Sequence, residues 1–359
     1  MRPSSPTPQD HTDITIGLAG PMTGGEAAFG RQFKNGAEQA IADINAAGGV
    51  LGRQLKLEIG DDACVPTQAR FVADKLAGMK LPFVAGHYCS SSSIPASEVY
   101  AKSGTLQITP ASTNPLFTER GLWNTFRVSG RDEHQGVIAG NYIARNFMRR
   151  NVAILHDKTT YGKGLADETK NTMNKAGLTE RLYESFNRKD KDFTTLVSTL
   201  KRNKIDVVYI GGYHQEVGLI LRQMRAQGVN AVMLAGDALA DSEFPLIAGS
   251  ATAGTLFTFG PDPRRAPAAG PIVAKFRAKN IDPDGYTLYT YAAIQVWAQA
   301  ATGAGSVDGR TVAGVLKSRS FNTVLGPRSF TAKGDITQLD YVVYGWKNDR
   351  HYLELPSSR

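Results

Sequence analysis

Two groups of residues in this 359-residue chain have the types and spacing to do chemistry. The first is a run of hydroxyls, Ser90-Ser91-Ser92-Ser93, that follows the short apolar segment Phe83 to Gly86 and leads into a helix at Ile94. Hydroxyls and free backbone N–H groups at a helix start suit a carboxylate. The second is an acid in the other half of the chain, Asp237, accompanied by Tyr161 and Tyr213. A carboxylate receiver facing an acidic receiver for ammonium is what an α-amino-acid zwitterion requires. The plainer alternative stays open at this point: the serines are only helix caps and Asp237 a turn residue.

Catalytic and metal chemistry find less support. The motifs G-x-S-x-G, H-E-x-x-H and G-x-x-x-x-G-K-[ST] are absent. The six histidines (His11, His87, His134, His156, His214, His351) have no metal-ligand spacing, and a structural role at strand ends is expected for His87, His156 and His214. Cys89 lies beside His87, but neighbours on one strand end point in awkward directions for a nucleophile and its base. The two cysteines, Cys64 and Cys89, are compatible with a disulfide or with two buried thiols; their spacing rules out a C-x-x-C site. No catalysis, cofactor or metal is therefore expected.

Composition narrows the class further. Apolar residues make up 42% and charged residues 21%, an ordinary globular balance. No apolar stretch approaches the roughly 20 residues needed to span a bilayer. The net charge of +8 raises a nucleic-acid hypothesis. The cations are scattered, though, and acids interrupt them, as in Arg188-Lys189-Asp190-Lys191-Asp192, so a solvated basic surface is expected and no nucleic-acid partner. Met1 to His11 has no apolar h-region and does not read as a signal peptide; residues 1–11 are expected to be a disordered extension, and export is left undecided by these residues alone.

The elements that must position the two groups alternate. Strand patterns at Asp13 to Ala19, Leu55 to Ile59, Phe83 to Gly86 and Leu106 to Thr109 are separated by helical patterns, the first with Phe33, Ala37, Ala40, Ile41 and Ile44 on one face. After Ser129-Gly130 the rhythm restarts: helix Gln135 to Arg149, strand Val152 to His156, helices Gly164 to Ala176 and Phe193 to Asn203, strand Val207 to Gly211, helix Val217 to Gln227, strand Val232 to Ala235. Helices at Ile272 to Asn280 and Tyr286 to Ala301 follow, and Phe330 and Tyr341 to Trp346 read as late strands. The fold class is α/β, with two Rossmann-like lobes, parallel sheets flanked by helices and a three-segment hinge. Lobe one is expected to comprise residues 12–130 plus 260–339, and lobe two 131–259 plus 340–359.

In open α/β sheets ligands sit beyond the carboxyl ends of the strands. The loops there carry a resemblance: Asp61-Asp62-Ala63-Cys64, Gly86-His87-Tyr88-Cys89-Ser90-Ser91-Ser92, Thr109-Pro110-Ala111, His156-Asp157-Lys158, Tyr161-Gly162, Gly211-Gly212-Tyr213-His214 and Tyr289-Thr290-Tyr291-Ala292-Ala293. Together, from about Ile14 to Trp346, they resemble the branched-chain amino-acid (Leu/Ile/Val) periplasmic binding proteins, the substrate-binding components of ABC importers with the type I periplasmic-binding-protein fold.

That resemblance implies roles. Ser90 binds the α-carboxylate, helped by the Thr113 N–H and the Tyr213 hydroxyl. The Ala111 carbonyl and the Thr113 hydroxyl take the ammonium, with Asp237 standing where the family has a glutamate. Phe29, Tyr88, Cys89, Tyr161 and Tyr286 surround the ligand side chain, and Cys64 pairs with Cys89 in a disulfide. It further implies a periplasmic monomer that captures aliphatic or other small neutral amino acids by cleft closure and hands them to ABC permease subunits. The alternative is a sensing domain for an amino acid, an ω-amino acid or a small amide. Tyr88 and Tyr286 stand where leucine binders carry Leu and Phe, and Asp237 is shorter than glutamate by roughly 1.5 Å. A preference for small or ω-amino acids over leucine is expected.

Overall fold

The computed structural model describes residues 12–338, 341–347 and 352–356. The expected extension, residues 1–11, lies outside the described residues, as do His11 and His351. The apolar run Ile14–Gly20 forms strand β1, in which only Thr15 is not fully buried. Such a strand is covered on both faces, as parallel sheets require. The chain continues through α1 (Ala27–Ala46), β2 (Leu55–Asp61), α2 (Pro66–Gly78), β3 (Phe83–Gly86), α3 (Ser90–Ser103), β4 (Leu106–Thr109), α4 (Leu116–Glu119) and β5 (Thr125–Arg127). These five strands pair in parallel in the order β2-β1-β3-β4-β5.

The second lobe is built from α5 (Asp132–Phe147), β6 (Val152–His156), α6 (Thr160–Lys175), β7 (Leu182–Ser185), α7 (Thr194–Arg202), β8 (Val207–Gly211), α8 (His214–Ala226), β9 (Val232–Ala235), α9 (Glu243–Ala248) and β10 (Leu256–Phe259). The chain then runs through α10 (Gly270–Arg277), α11 (Thr287–Ala304), α12 (Gly309–Ser318), the hairpin β11 (Ser320–Thr323) and β12 (Gly326–Ser329), and finally β13 (Val342–Trp346) and β14 (Tyr352–Glu354). The second sheet has the order β14-β13-β10-β9-β8-β6-β7. Strands β6 to β10 are parallel, but β13 and β14 add antiparallel to its edge, so this sheet is mixed and not wholly parallel. Phe330, expected in a strand, makes only an isolated bridge with Ile336.

Helix α11 returns the chain to the first sheet. Trp297 stacks on Phe83 of β3 with ring centroids 5.0 Å apart. A Cβ on Gly36 of α1 would lie 2.2 Å from the Thr287 carbonyl, so glycine is what lets α1 and α11 touch. The crossings between sheets are fastened by a buried ion pair: Arg127 Nε donates to Asp335 Oδ1 at 2.7 Å, while its other nitrogens donate to the carbonyls of Ser112 (2.6 Å) and Asn114 (3.0 Å). A buried guanidinium persists only when its donors are matched in this way.

Four helices begin earlier than their apolar periodicity indicates: α3 at Ser90, α5 at Asp132, α6 at Thr160 and α8 at His214. The first turn of each is polar, so the repeating apolar signal starts one turn late. Residues read from sequence as loop are thus helix N-termini, whose N–H groups have no intrahelical acceptor.

Candidate functional site

Cys64 and Cys89 form a disulfide, with Cα atoms 5.6 Å apart, which settles the choice between bridge and thiols. It ties the turn after β2 to the residue that precedes α3. The Ser92 and Ser93 N–H groups turn back to the Cys89 carbonyl, both at 2.9 Å, leaving those of Ser90 and Ser91 without an acceptor among the described residues. The serine run then divides by role. Ser93 Oγ accepts from the His87 N–H (3.0 Å) and bonds Ser112 Oγ (2.7 Å), which donates to the Tyr88 carbonyl (2.8 Å). That network holds the β3 and β4 loops together, and His87 belongs to it, fully buried between Asp62 (2.6 Å) and Tyr100 (3.1 Å). Ser90 Oγ accepts from the Asn114 N–H at 3.3 Å. Thr113 Oγ1 is buried, with no partner of good geometry among the described residues.

Five rings close the middle of the cleft. Phe29 and Tyr88 stack at 4.3 Å; Tyr88 meets Tyr286 and Tyr213, each at 5.9 Å; and Tyr161 meets Tyr213 at 5.0 Å. Phe29, Tyr88 and Tyr286 come from the first lobe's side, Tyr161 and Tyr213 from the second. The approach of α6 depends on glycine: a Cβ on Gly211, at the end of β8, would lie 1.9 Å from the Gly162 carbonyl. Small residues here let the helix carrying Tyr161 press against the strand ends.

Asp237 sits in a short 3-10 turn after β9 and is 3% exposed. Its Oδ1 accepts from Tyr161 OH (2.8 Å) and Gln135 Nε2 (2.9 Å), and its Oδ2 accepts from Tyr286 OH. Its own N–H donates to Gln135 Oε1 at 2.9 Å, and Thr258 Oγ1 donates to the same oxygen at 2.7 Å. Burial raises the Asp237 pKa above the ordinary carboxylate value, against the pull of the Tyr286, Gln135 and Tyr161 donors. An acidic side chain held by three donors keeps lone-pair capacity for one more, since a carboxylate offers about four acceptor positions.

Several residues here escape sequence reasoning. Asp132, at the start of α5, is fully buried; burial and the Asp237 charge push its carboxyl well above the usual range. It adjoins the Thr113 hydroxyl and receives a long bond from Gln135 Nε2 at 3.4 Å. Its signal was an acid with an amide one turn on (Asp132, Gln135), directly after the crossing at Ser129-Gly130. Across the cleft Glu26 pairs with Arg188, Arg31 with Glu243, Gln32 Nε2 donates to Asp241 Oδ2 (2.7 Å), and Asn114 Nδ2 donates to the Thr160 carbonyl (2.9 Å). The lobes are drawn together by these contacts. His214, Asp241 and Glu243 offer ligand atoms within 4.8 Å of one another, a grouping that histidine spacing does not reveal. Arg31 and Gln32 already engage its two acids, which makes it part of the cross-cleft contact.

All ten residues expected at the site are buried, none more than 4% exposed; ring contacts and hydrogen bonds join Phe29, Tyr88, Tyr161, Tyr213, Tyr286 and Asp237, and Asp132 with Gln135 connects Thr113 to Asp237. The described residues include no helix long and apolar enough to cross a membrane.

Comparison with known proteins gives the same picture. A model of the periplasmic binding protein family matches residues 13–351. The Leu/Ile/Val-binding protein homolog 2 of Brucella abortus is 50% identical over 336 residues, covering 93% of this chain and 91% of its own length. An amino acid binding protein of Pseudomonas aeruginosa is 49% identical over 347 residues, 96% of this chain and 93% of that one. Among solved structures, a leucine binding protein from Thermotoga maritima superposes with a TM-score of 0.89 at 30% identity, covering 96% and 98% of the two chains. The isoleucine complex of a branched-chain amino acid binding protein from Streptococcus pneumoniae gives 0.87 at 26%, covering 96% and 99%. With a match along nearly its whole length and two α/β lobes, the chain belongs to the periplasmic binding protein family.

Proposed function

We propose that this protein captures a small neutral amino acid, or an ω-amino acid, between its lobes in the periplasm and presents it to the permease subunits of an ABC importer, as a monomer and without catalysis. The division into residues 12–130 plus 260–339 and 131–259 plus 340–359 is part of this reading. The observation that supports it is a buried polar group: the first turn of α3, the Thr113 hydroxyl beside Asp132, and the Asp237 carboxylate held by Gln135, Tyr161 and Tyr286. Ser90, with the Thr113 N–H and Tyr213 OH, receives the carboxylate; Thr113 Oγ1, the Ala111 carbonyl and Asp237 receive the ammonium. A primary ammonium has three donors, and these are three acceptors.

The side-chain pocket supports the preference for small ligands. The Tyr88 ring lies on Phe29 and against Tyr286, and the Tyr286 hydroxyl reaches inward to Asp237. These groups occupy space that a leucine side chain needs. Closure follows from affinity: ligand held by the first lobe gains Asp237, Tyr161 and Tyr213 only when the second lobe arrives, which favours the closed state. A thermal-shift screen over amino acids and short acids, followed by calorimetric titration, tests this. Leucine binding at least about tenfold tighter than alanine, valine or γ-aminobutyrate would overturn the preference, and absence of binding to any amino acid would overturn the function.

A further inference from the structure

On the proposed binding mode the two hydroxyls of the first lobe have opposite tasks. Ser90 donates to a carboxylate, whereas Thr113 must accept from an ammonium, and a hydroxyl does either unless something fixes its proton. The Thr113 peptide is held from behind. Arg127 donates to the carbonyls on either side of it, Ser112 (2.6 Å) and Asn114 (3.0 Å), and the Asp132 N–H donates to the Thr113 carbonyl at 3.0 Å. That last bond joins the start of α5 to the loop after β4 and brings the Asp132 carboxyl against the Thr113 hydroxyl.

Both side chains are fully buried. Asp132 Oδ1 receives only the long bond from Gln135 Nε2 at 3.4 Å, and Oδ2 has no hydrogen-bond partner of good geometry among the described residues. Thr113 Oγ1 is in the same condition. Buried polar groups in native proteins are almost always matched, and these two neighbours complete each other: one accepts, and the other has a proton to give. Once that proton is turned to Asp132, the Thr113 hydroxyl keeps only lone pairs for the cleft. Burial and the Asp237 charge favour a proton on Asp132 and the Arg127 guanidinium disfavours it; an arriving ammonium adds a second positive charge and favours the carboxylate.

We propose that Asp132 is a positioning residue of the amino-acid site: it takes the proton of the Thr113 hydroxyl and so leaves that hydroxyl as an acceptor for the guest's ammonium. This role rests on the binding mode proposed for the amino acid, and it assigns selection of a cation at Thr113 to a side chain that acts through another. Replacing the carboxylate by an amide reverses the arrangement. The asparagine NH2 donates to Thr113 Oγ1, whose own proton then turns to the guest and opposes an ammonium. Asp237 cannot take over, because Gln135 Nε2 stands between it and Asp132.

The test is a double-mutant cycle over the wild type, Asp132→Asn, Thr113→Val and the two combined. Alanine and γ-aminobutyrate are titrated calorimetrically at pH 7.5, up to about 10 mM so that weak variants stay measurable, with circular dichroism as the check on the fold. Valine removes the Thr113 hydroxyl but keeps its shape and its N–H. The expected result is that Asp132→Asn weakens both ligands at least about tenfold when Thr113 is present and less than about threefold when valine replaces it. Equal losses in the two backgrounds would overturn the role, since a carboxylate acting directly on the guest, or a fault in α5 that also moves the Thr113 N–H, costs affinity with or without the hydroxyl. Affinities of Asp132→Asn within about threefold of wild type would overturn it as well. Should the asparagine variant fail to fold, Asp132→Ala, which removes the carboxylate without supplying a donor, runs the same cycle. A wild type that binds neither amino acid overturns the binding mode and this role together, whereas wild-type binding with an additive cycle overturns this role alone.

Discussion

Replacing Asp237 by asparagine removes one negative charge and almost no volume. Asparagine Oδ1 can still accept from Gln135 and Tyr161, and its amide can donate to the Tyr286 hydroxyl, which turns from donor to acceptor. The closed framework therefore survives, and the difference falls on the guest. In the wild type an ammonium placed against Asp237 gains a charge-assisted bond in a space from which water is excluded, the carboxylate being 3% exposed. Losing one partner of such a buried pair costs about 2–4 kcal/mol for the ligand, or roughly 30- to 1,000-fold in Kd. Titration of alanine and γ-aminobutyrate should show that loss. Propionate, which has no ammonium, should bind the variant no worse than the wild type, because its complex with the wild type leaves the Asp237 charge unmatched. Affinities for both amino acids within about threefold of wild type would remove Asp237 from the site and refute the reasoning.

Tyr286→Phe combined with Tyr88→Leu removes the inward hydroxyl and the ring stacked on Phe29; the ratio of leucine to alanine affinity should rise at least about tenfold, as two to three methylenes' worth of apolar contact allows, measured by calorimetry. Asp157, whose pKa burial pushes up to about 6, binds its proton more tightly in the folded than in the unfolded state, so its contribution falls as pH rises from about 4 to about 6. The rise from the ordinary value of 3.8 amounts to about 3 kcal/mol, and Asp157→Asn should be more stable than wild type at pH 7.5 by up to that much while nearly equal at pH 4, read by denaturant unfolding. Reducing the Cys64–Cys89 bridge, or replacing both by serine, frees a 25-residue separation and should lower stability by about 3–4 kcal/mol, seen as a fall in Tm. Gly211→Ala places a Cβ 1.9 Å from the Gly162 carbonyl; it should weaken amino-acid binding by displacing Tyr161, with the Tyr161–Asp237 bond lost in the variant's crystal structure.

What the sequence discloses is the interior of each sheet. β1, β3, β6, β8 and β9 are continuous apolar runs because both faces are covered, and each lies within a residue of its expected span. The edges were harder to see. β7, Leu182–Ser185, is half-exposed to exposed throughout and has no apolar run to find. β5 contains Arg127, a charge that looks like surface until Asp335, 208 positions away, supplies its partner. Helix α12 does carry a local signal: Asp308 caps it by accepting from the Thr311 N–H, and Val312, Ala313 and Leu316 keep helical spacing. At the site, loops with distinctive residues were legible, while the amide that fixes Asp237 was not. Gln135 is 102 positions from Asp237, and nothing local marks it as that residue's clamp.

The contacts that cross the cleft have a bearing on closure. Glu26–Arg188, Arg31–Glu243, Gln32–Asp241, Asn114–Thr160 and Tyr286–Asp237 are all made by the protein's own side chains and backbone. Part of the driving force for closure therefore belongs to the protein, and a guest supplies only the remainder. Apparent affinity is reduced by the fraction of molecules unable to bind, so self-supported closure shortens the energetic distance that a small, weakly gripping guest must cover.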